Sequence, residues 1–258
     1  MLSRNREYQI LVENKLVKCF NIEKKNASWR KNARRLLCAK KIKVAIEQNS
    51  YNSKKFIKRE VTKRLETALS KGIRIYIDCS YEPLMSPKEC NKFAQQLCRL
   101  YGANKKATSP FSLNLVSFSQ CGPLFQACQS KCDGFLNYKI GLYSAPASSI
   151  TPENIEIVYL SPDAKEPLLS ISENCAYVIG CLVDEHILKG QSQQEAKTKG
   201  CRAFRLPIQE FCYQCTTGRK SSPVLAINHV IDILLAYKKN GGDWKAALEF
   251  GLPRRFLK

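Results

Sequence analysis

The segment NCAYVIGCLVDEH, residues 174–186, constrains the fold more than any other stretch of the chain. From Ala176 to Val183 its residues are apolar or small, and the run stops abruptly at Asp184 and Glu185. A strand wet on one face would alternate polar and apolar residues. An unbroken apolar run of this length, with β-branched residues, marks a strand covered on both faces, as in parallel sheets flanked by helices. Ligands in such sheets bind beyond the carboxyl ends of strands, so Asp184 stands where a binding or catalytic carboxylate would be placed. Position alone leaves a second reading open, in which Asp184 starts a surface loop or caps a helix.

The flanking sequence supplies the rest of such a sheet. REVTKRLETALSKG ends at Gly72 as a helix would, RIYIDCSY reads as a first strand, and SPKECNKFAQQLCRLYGAN has a Ser-Pro helix start. FSLNLVSF, ENIEIVYLS, NCAYVIGCLVD and AFRLPI follow as strands, separated by the helical patterns CGPLFQACQSKC and SQQEAKTKGC. SPVLAINHVIDILLAYKKNGG closes the series, with Leu225, Val230, Ile233 and Leu234 on one face and Gly241 at its end. Strands alternating with helices predict a mostly parallel α/β domain over residues 72–258. TTGRKSS, residues 216–222, reads as a loop beside the site.

Charge divides the chain differently. Residues 1–74 carry 21 Lys and Arg against 6 Asp and Glu, whereas residues 75–258 carry 21 against 16. Most of the net +20 therefore sits in an amino-terminal arm, residues 1–71, that has no Gly or Pro and reads as helical. Such an arm suits a polyanion, because each neutralised phosphate releases condensed counterions. It lacks the sustained aromatic and leucine face of a membrane-surface helix, which leaves nucleic acid as the expected partner and no membrane. The thirteen cysteines are odd in number and follow no signal peptide, which predicts free thiols in a reducing compartment. Cys212 and Cys215 form the lone CxxC, and His186 and His229 lack metal-ligand spacing, so no metal is expected.

Missing motifs narrow the chemistry. No two of the twelve glycines form G-x-G, GKS and GKT are absent, and no G-x-S-x-G elbow occurs. Dinucleotide folds, P-loop NTPases and serine hydrolases are disfavoured accordingly. In chain order, IDCSYEPLMSPKE, LCRLYGANKKA, IVYLSPDA, YVIGCLVDE, AFRLPIQEF, LAINHVIDIL and GDWKAAL resemble the tRNA position-nine N1-methyltransferases, knotted enzymes of the SPOUT superfamily. RLPIQEF and VDE look most like the B branch of the animal family.

The resemblance implies a deep trefoil knot in the carboxyl-terminal half, a rare exception to unknotted topology. It also implies S-adenosylmethionine as methyl donor, tRNA as substrate, and a monomer without an obligate protein partner. The reducing compartment expected from the cysteines, and a basic arm of the kind that carries a nuclear import signal, point to a cytoplasmic or nuclear location. A mitochondrial address is less expected, since Glu7 and Glu13 do not suit a transit peptide. By matching motif positions, the donor cleft would take in Leu160, Ser161, Tyr177, Gly180, Cys181, Leu182, Val183 and Asp184. Arg205, Leu206, Pro207, Ile208, Leu225, Ala226 and Asn228 would complete it. A purine needs flat apolar walls and its edge needs backbone partners, although without the resemblance Leu206, Ile208 and Leu225 read as ordinary core.

Asp184 then acquires a role as general base. Guanine N1 becomes nucleophilic only as its proton leaves, and a carboxylate raised by burial, or one that orients a water, can receive it. Adenine has no proton at N1, and there the carboxylate would offset developing positive charge. A catalytically silent RNA-binding subunit and an enzyme acting on ribosomal RNA are further readings. Two positions depart from the family pattern: Cys181 stands where a second glycine is common, and His186 where many members have Asn. For RNA, the expected phosphate contacts are Lys105 and Lys106 together with Arg30, Lys31, Arg34, Arg35, Lys40, Lys41 and Lys43 in the arm.

Overall fold

The computed structural model describes residues 34–41, 54–182, 190–211, 224–253 and 256. Residues 34–41 form a short exposed helix, α1, within an amino-terminal unit that ends at Ile57. The second unit runs from Lys58 to Lys258. This division lies earlier than the boundary at residue 71 expected from the charge pattern. The physical reason is that helix α2 (Lys54–Lys71), though densely charged, buries Leu65 and Ala68. Leu65 joins the main core, so most of this helix belongs to the α/β body.

Among the described residues seven strands make one sheet, with β1 (Arg74–Asp78), β2 (Ser112–Val116), β3 (Gly141–Leu142), β4 (Glu156–Leu160), β5 (Glu166–Pro167), β6 (Cys175–Gly180) and β7 (Arg202–Arg205). Their order is β3-β2-β1-β6-β4-β7-β5, and among the described residues every pairing is parallel. The chain order thus jumps at β1, whose neighbours are β2 and β6. Crossovers run through α3 (Pro87–Lys106), α4 (Pro123–Lys131), α5 (Ala147–Ile150) and α6 (Gln191–Thr198), followed by α7 (Ile208–Phe211), α8 (Ile227–Lys239) and α9 (Trp244–Gly251).

Strand periodicity sorts side chains between two layers. Ile75 and Ile77 of β1, with Tyr177 and Ile179 of β6, face a large cluster completed by Phe93 and Leu97 of α3, Leu124 of α4, Ile231 and Leu234 of α8, and Trp244 of α9. Tyr76, Ala176 and Val178 point to the opposite face, where Ala147 of α5 and Ala196 of α6 cover them. Both faces are buried, as the unbroken apolar runs require.

Local signals terminate the helices where they should. Ser86 caps α3 in a reciprocal box with Glu89, Pro87 follows at the first turn, and Gly241 adopts φ 65° after α8. The α3–α4 packing brings the Cα atoms of Cys98 and Cys132 to 5.7 Å, where their sulfurs are joined in a disulfide. This departs from the expectation of free thiols, since sequence spacing does not show which helices pack side by side. Cys79, Cys90, Cys128 and Cys181 are buried and free, and burial pushes Cys128 up to about 12.

Among the described residues no helix is long and apolar enough to cross a membrane. Nor is there among them a group of three metal-ligating side chains. Cys212 and Cys215 lie outside the described residues, as does the TTGRKSS segment. Residues 183–189 and 212–223, in the carboxyl-terminal half where the knot is expected, lie outside the described residues as well.

Candidate active site

Register brings the expected cleft segments to one edge of the sheet. Asp78 at the end of β1 is opposite Gly180 at the end of β6, and Leu160 at the end of β4 is opposite Phe204 in β7. The backbone continues these ladders past the strands. Cys181 N–H donates to Asp78 C=O at 2.9 Å, and Ser161 N–H donates to Phe204 C=O at 2.9 Å. Leu160–Ser161, Gly180–Leu182 and Arg205–Ile208 thereby line up at neighbouring carboxyl ends.

Their apolar side chains share one cluster. Leu160 is buried, while Leu182, Leu206, Ile208 and Leu225 are half-buried against the same core. Half-buried apolar walls at strand ends are what a purine requires, so these residues fit an adenosyl group. Asn228 is buried in the first turn of α8, whose Ile227 N–H is held by Gln96 Oε1 at 3.0 Å. Arg205 makes a bidentate pair with Glu210, at 2.8 and 2.6 Å, that ties the two sides of the Leu206-Pro207-Ile208 turn. Tyr177 differs: it is buried in mid-strand, and its hydroxyl accepts from Ser172 N–H at 2.7 Å. That bond draws the hydroxyl back toward the start of β6.

Gly180 is tightly enclosed. A Cβ there would stand 3.1 Å from the Tyr81 ring and 3.2 Å from Ser192 Oγ. Burial pushes the Tyr81 hydroxyl up to about 12 even with Ser192 beside it. The same hydroxyl is enclosed without a geometrically sound hydrogen bond among the described residues. Cys181, by contrast, has no exposed surface, and its Sγ lies 3.7 Å from Met85 Sδ. Its side chain is taken up by the core.

A buried carboxylate that sequence reasoning passed over stands at the same edge. Asp78 is 1% exposed, accepts from Ser80 N–H at 3.0 Å, and has Lys199 Nζ 3.7 Å away. Lys199 also reaches Glu195 at 2.8 Å and the Tyr159 hydroxyl at 3.1 Å. Burial acts to lower Lys199, but its bonds to Glu195 and Tyr159 and the charge of Asp78 hold it above the ordinary lysine range. The signal was legible: RIYID ends an apolar strand on Asp just as YVIGCLVD does.

Val183, Asp184 and His186 lie outside the described residues. So do Arg30, Lys31 and Lys43, whereas Arg34, Arg35, Lys40 and Lys41 are exposed on α1. Lys105 and Lys106 are exposed in the last turn of α3.

Comparison with known proteins places this architecture. The family model for tRNA (guanine(9)-N(1))-methyltransferase TRM10/TRM10A matches residues 7–257. The chain belongs to this family. Among curated relatives, it is 40% identical over 202 residues to tRNA methyltransferase 10 homolog B of Rattus norvegicus, covering 78% of this chain and 63% of that protein. It is 34% identical over 246 residues to the Homo sapiens homolog B, covering 90% and 76%. The chain spans 64% of the Danio rerio homolog B and 63% of the rat one, under two thirds of their length. Among solved structures, spTrm10(74) superimposes with a TM-score of 0.62 at 28% identity over 70% of this chain and 94% of that one. A full-length spTrm10 solved as an SAH complex gives 0.61 at 28% identity, covering 70% and 95%. The TRM10 sheet of this chain is thus the SPOUT-type parallel sheet its sequence resembles.

Proposed function

We propose that the chain is an S-adenosylmethionine-dependent methyltransferase that forms N1-methylguanosine at position nine of tRNA. The observation that carries this reading is the alignment of Leu160–Ser161, Gly180–Leu182 and Arg205–Ile208 at neighbouring strand ends, in a chain matched by the TRM10 family model over residues 7–257. S-adenosylmethionine supplies an electrophilic sulfonium methyl. The chain supplies everything that positions and activates the acceptor.

Leu160, Leu182, Leu206, Ile208 and Leu225 give the adenosyl group apolar walls, and the Arg205–Glu210 pair holds the turn that carries two of them. Asp184 accepts the proton that leaves guanine N1 as the N1–carbon bond forms and the sulfur–carbon bond breaks, with that bond's electron pair remaining on sulfur. The proposed knot would form the loops of this cleft. The basic arm grips phosphates and positions the tRNA, and the purine is taken out of its stack before it enters.

The test is incubation with labelled S-adenosylmethionine and unmodified tRNA transcripts carrying G or A at position nine, followed by nucleoside mass spectrometry. N1-methylguanosine from the G transcript alone is the expected product. N1-methyladenosine would transfer the assignment to the other purine. No transfer to either, with tRNA bound, would replace it with a silent RNA-binding subunit.

A further inference from the structure

A cavity of about 440 Å³ opens at the opposite end of the sheet. Its floor is Gly72 and Ile73, which lead into β1, and Ser109 and Pro110, which lead into β2. A five-residue strand is roughly 16 Å long, so this cavity is well removed from the strand carboxyl ends. The donor cleft does not extend into it.

Four cations line the cavity, Lys63, Arg64 and Lys71 from α2 and Lys238 from α8, against two carboxylates, Glu60 and Glu173. Two of the cations are held in place. Arg64 donates through Nη2 to Lys105 C=O at 3.0 Å, while its Nε is buried and unpartnered among the described residues. Lys238 donates to Ser109 C=O at 3.2 Å and lies 4.5 Å from the centre of the Phe111 ring. Burial lowers its ammonium below the ordinary lysine range, so an anion brought beside it would offset a desolvated charge. Lys63 and Lys71 are exposed at the rim, and the Thr108 and Ser109 hydroxyls add donors. A fixed guanidinium, several ammonium groups and hydroxyls on an open concave surface suit a phosphate.

The charge does not stop at the rim. Lys58 and Arg59 continue along α2, and Lys105 and Lys106 extend it at the end of α3, beside the carbonyl that Arg64 holds. A free nucleotide would need only the cavity, whereas a polyanion uses the surface that runs through it. We propose that this cavity seats a backbone phosphate of the tRNA, a second RNA contact remote from the methyl-transfer cleft. The proposal rests on the tRNA-substrate reading above.

Lys63→Glu/Lys71→Glu tests it against Lys131→Glu/Lys245→Glu, an equal change of charge on exposed residues of α4 and α9. Affinity for an unmodified tRNA transcript is measured by fluorescence anisotropy across salt concentrations, with calorimetric S-adenosylmethionine affinity as the check of folding. The cavity pair should lose about tenfold or more in tRNA affinity, and its plot of log affinity against log salt should flatten by about one to two. Donor affinity should be unchanged, and the control pair should lose less than about threefold in tRNA affinity. Equal losses in both pairs would mean a general charge effect and overturn the proposal. Adenosine monophosphate binding that the cavity pair abolishes, with tRNA binding intact, would make it a mononucleotide site instead. A wild-type protein that binds no tRNA would remove the tRNA reading itself, and the cavity assignment with it.

Discussion

Lys199 Nζ lies 3.7 Å from Asp78 Oδ2, and Asp78 has almost no exposed surface. Among the described residues, the ammonium group beside the carboxylate closing β1 is that of Lys199, in the turn after α6. Removing the ammonium leaves a charge in the interior, which costs more than the pair contributes. Lys199→Met should destabilise the fold by roughly 3 kcal/mol, at the low end for buried pairs because Lys199 keeps some solvent contact. Urea denaturation at neutral pH measures this, and Asp78→Asn in the same background should restore part of the loss. A double variant no more stable than Lys199→Met would show that the lysine acts through packing alone.

Gly180 and Cys181 are adjacent but face different surroundings, which predicts opposite consequences for substituting them. A Cβ on Gly180 meets the Tyr81 ring at 3.1 Å and Ser192 Oγ at 3.2 Å, and Tyr81 is itself buried. Gly180→Ala should thus displace Tyr81 and weaken donor binding about tenfold with modest loss of stability. Cys181→Gly removes a thiol packed beside Met85. It should lower stability by about 1 kcal/mol and change donor affinity less than about twofold. Calorimetric titration with S-adenosylmethionine separates the two, and a reversed order would place the Cys181 side chain in the cleft.

The parts of the fold that could be read in advance are those with strong periodicity. β1, β4 and β6 announced themselves as apolar runs, and α3 and α8 by helical spacing between good stop signals. The two-residue strands β3 and β5 are too short for any pattern to build up, and α5 and α7 are single turns. Helix α2 misled because one burying stripe, Leu65 and Ala68, is diluted by charges that belong to the surface. At the strand ends, the apolar runs marked which segments would meet, but Asp78 went unremarked beside the more conspicuous Asp184. Which strand neighbours β1 is a long-range fact, so the Asp78–Gly180 register had no local signal.

The Arg205–Glu210 pair gives a pH-dependent prediction. The bidentate bond from Arg205 holds Glu210 below its ordinary carboxylate value. A carboxylate depressed in the folded state adds stability above its unfolded value of about 4.3 and loses it as pH falls through the lower folded value. Both side chains are partly exposed, at 19% and 31%, which limits the contribution to about 0.5–1 kcal/mol. Wild type and Glu210→Gln should differ by that amount at pH 7 and converge below about pH 4. Because the pair braces the Leu206–Ile208 turn, donor affinity should weaken in parallel. A stability gap that persists at pH 3 would assign the effect to something other than this ion pair.

Helix α1 presents four cations, Arg34, Arg35, Lys40 and Lys41, all exposed. Arg34 and Lys41 are seven residues apart and share a face, with Arg35 and Lys40 to either side, so a phosphate backbone can engage at most part of the set at once. Replacing all four by Gln should flatten the salt dependence of tRNA binding by about two and weaken affinity roughly tenfold at physiological salt, leaving S-adenosylmethionine affinity unaltered. If arm and cavity contact different phosphates, combining these changes with Lys63→Glu/Lys71→Glu should add the slope changes and multiply the affinity losses. A combined variant no weaker than the worse of the two would mean that both compete for the same phosphates. Methyl transfer at saturating tRNA should persist in the α1 variant, because phosphate contacts set how the substrate is held and not how its purine is activated. Loss of turnover at saturation, with binding retained, would move the arm from gripping the tRNA to exposing the target base.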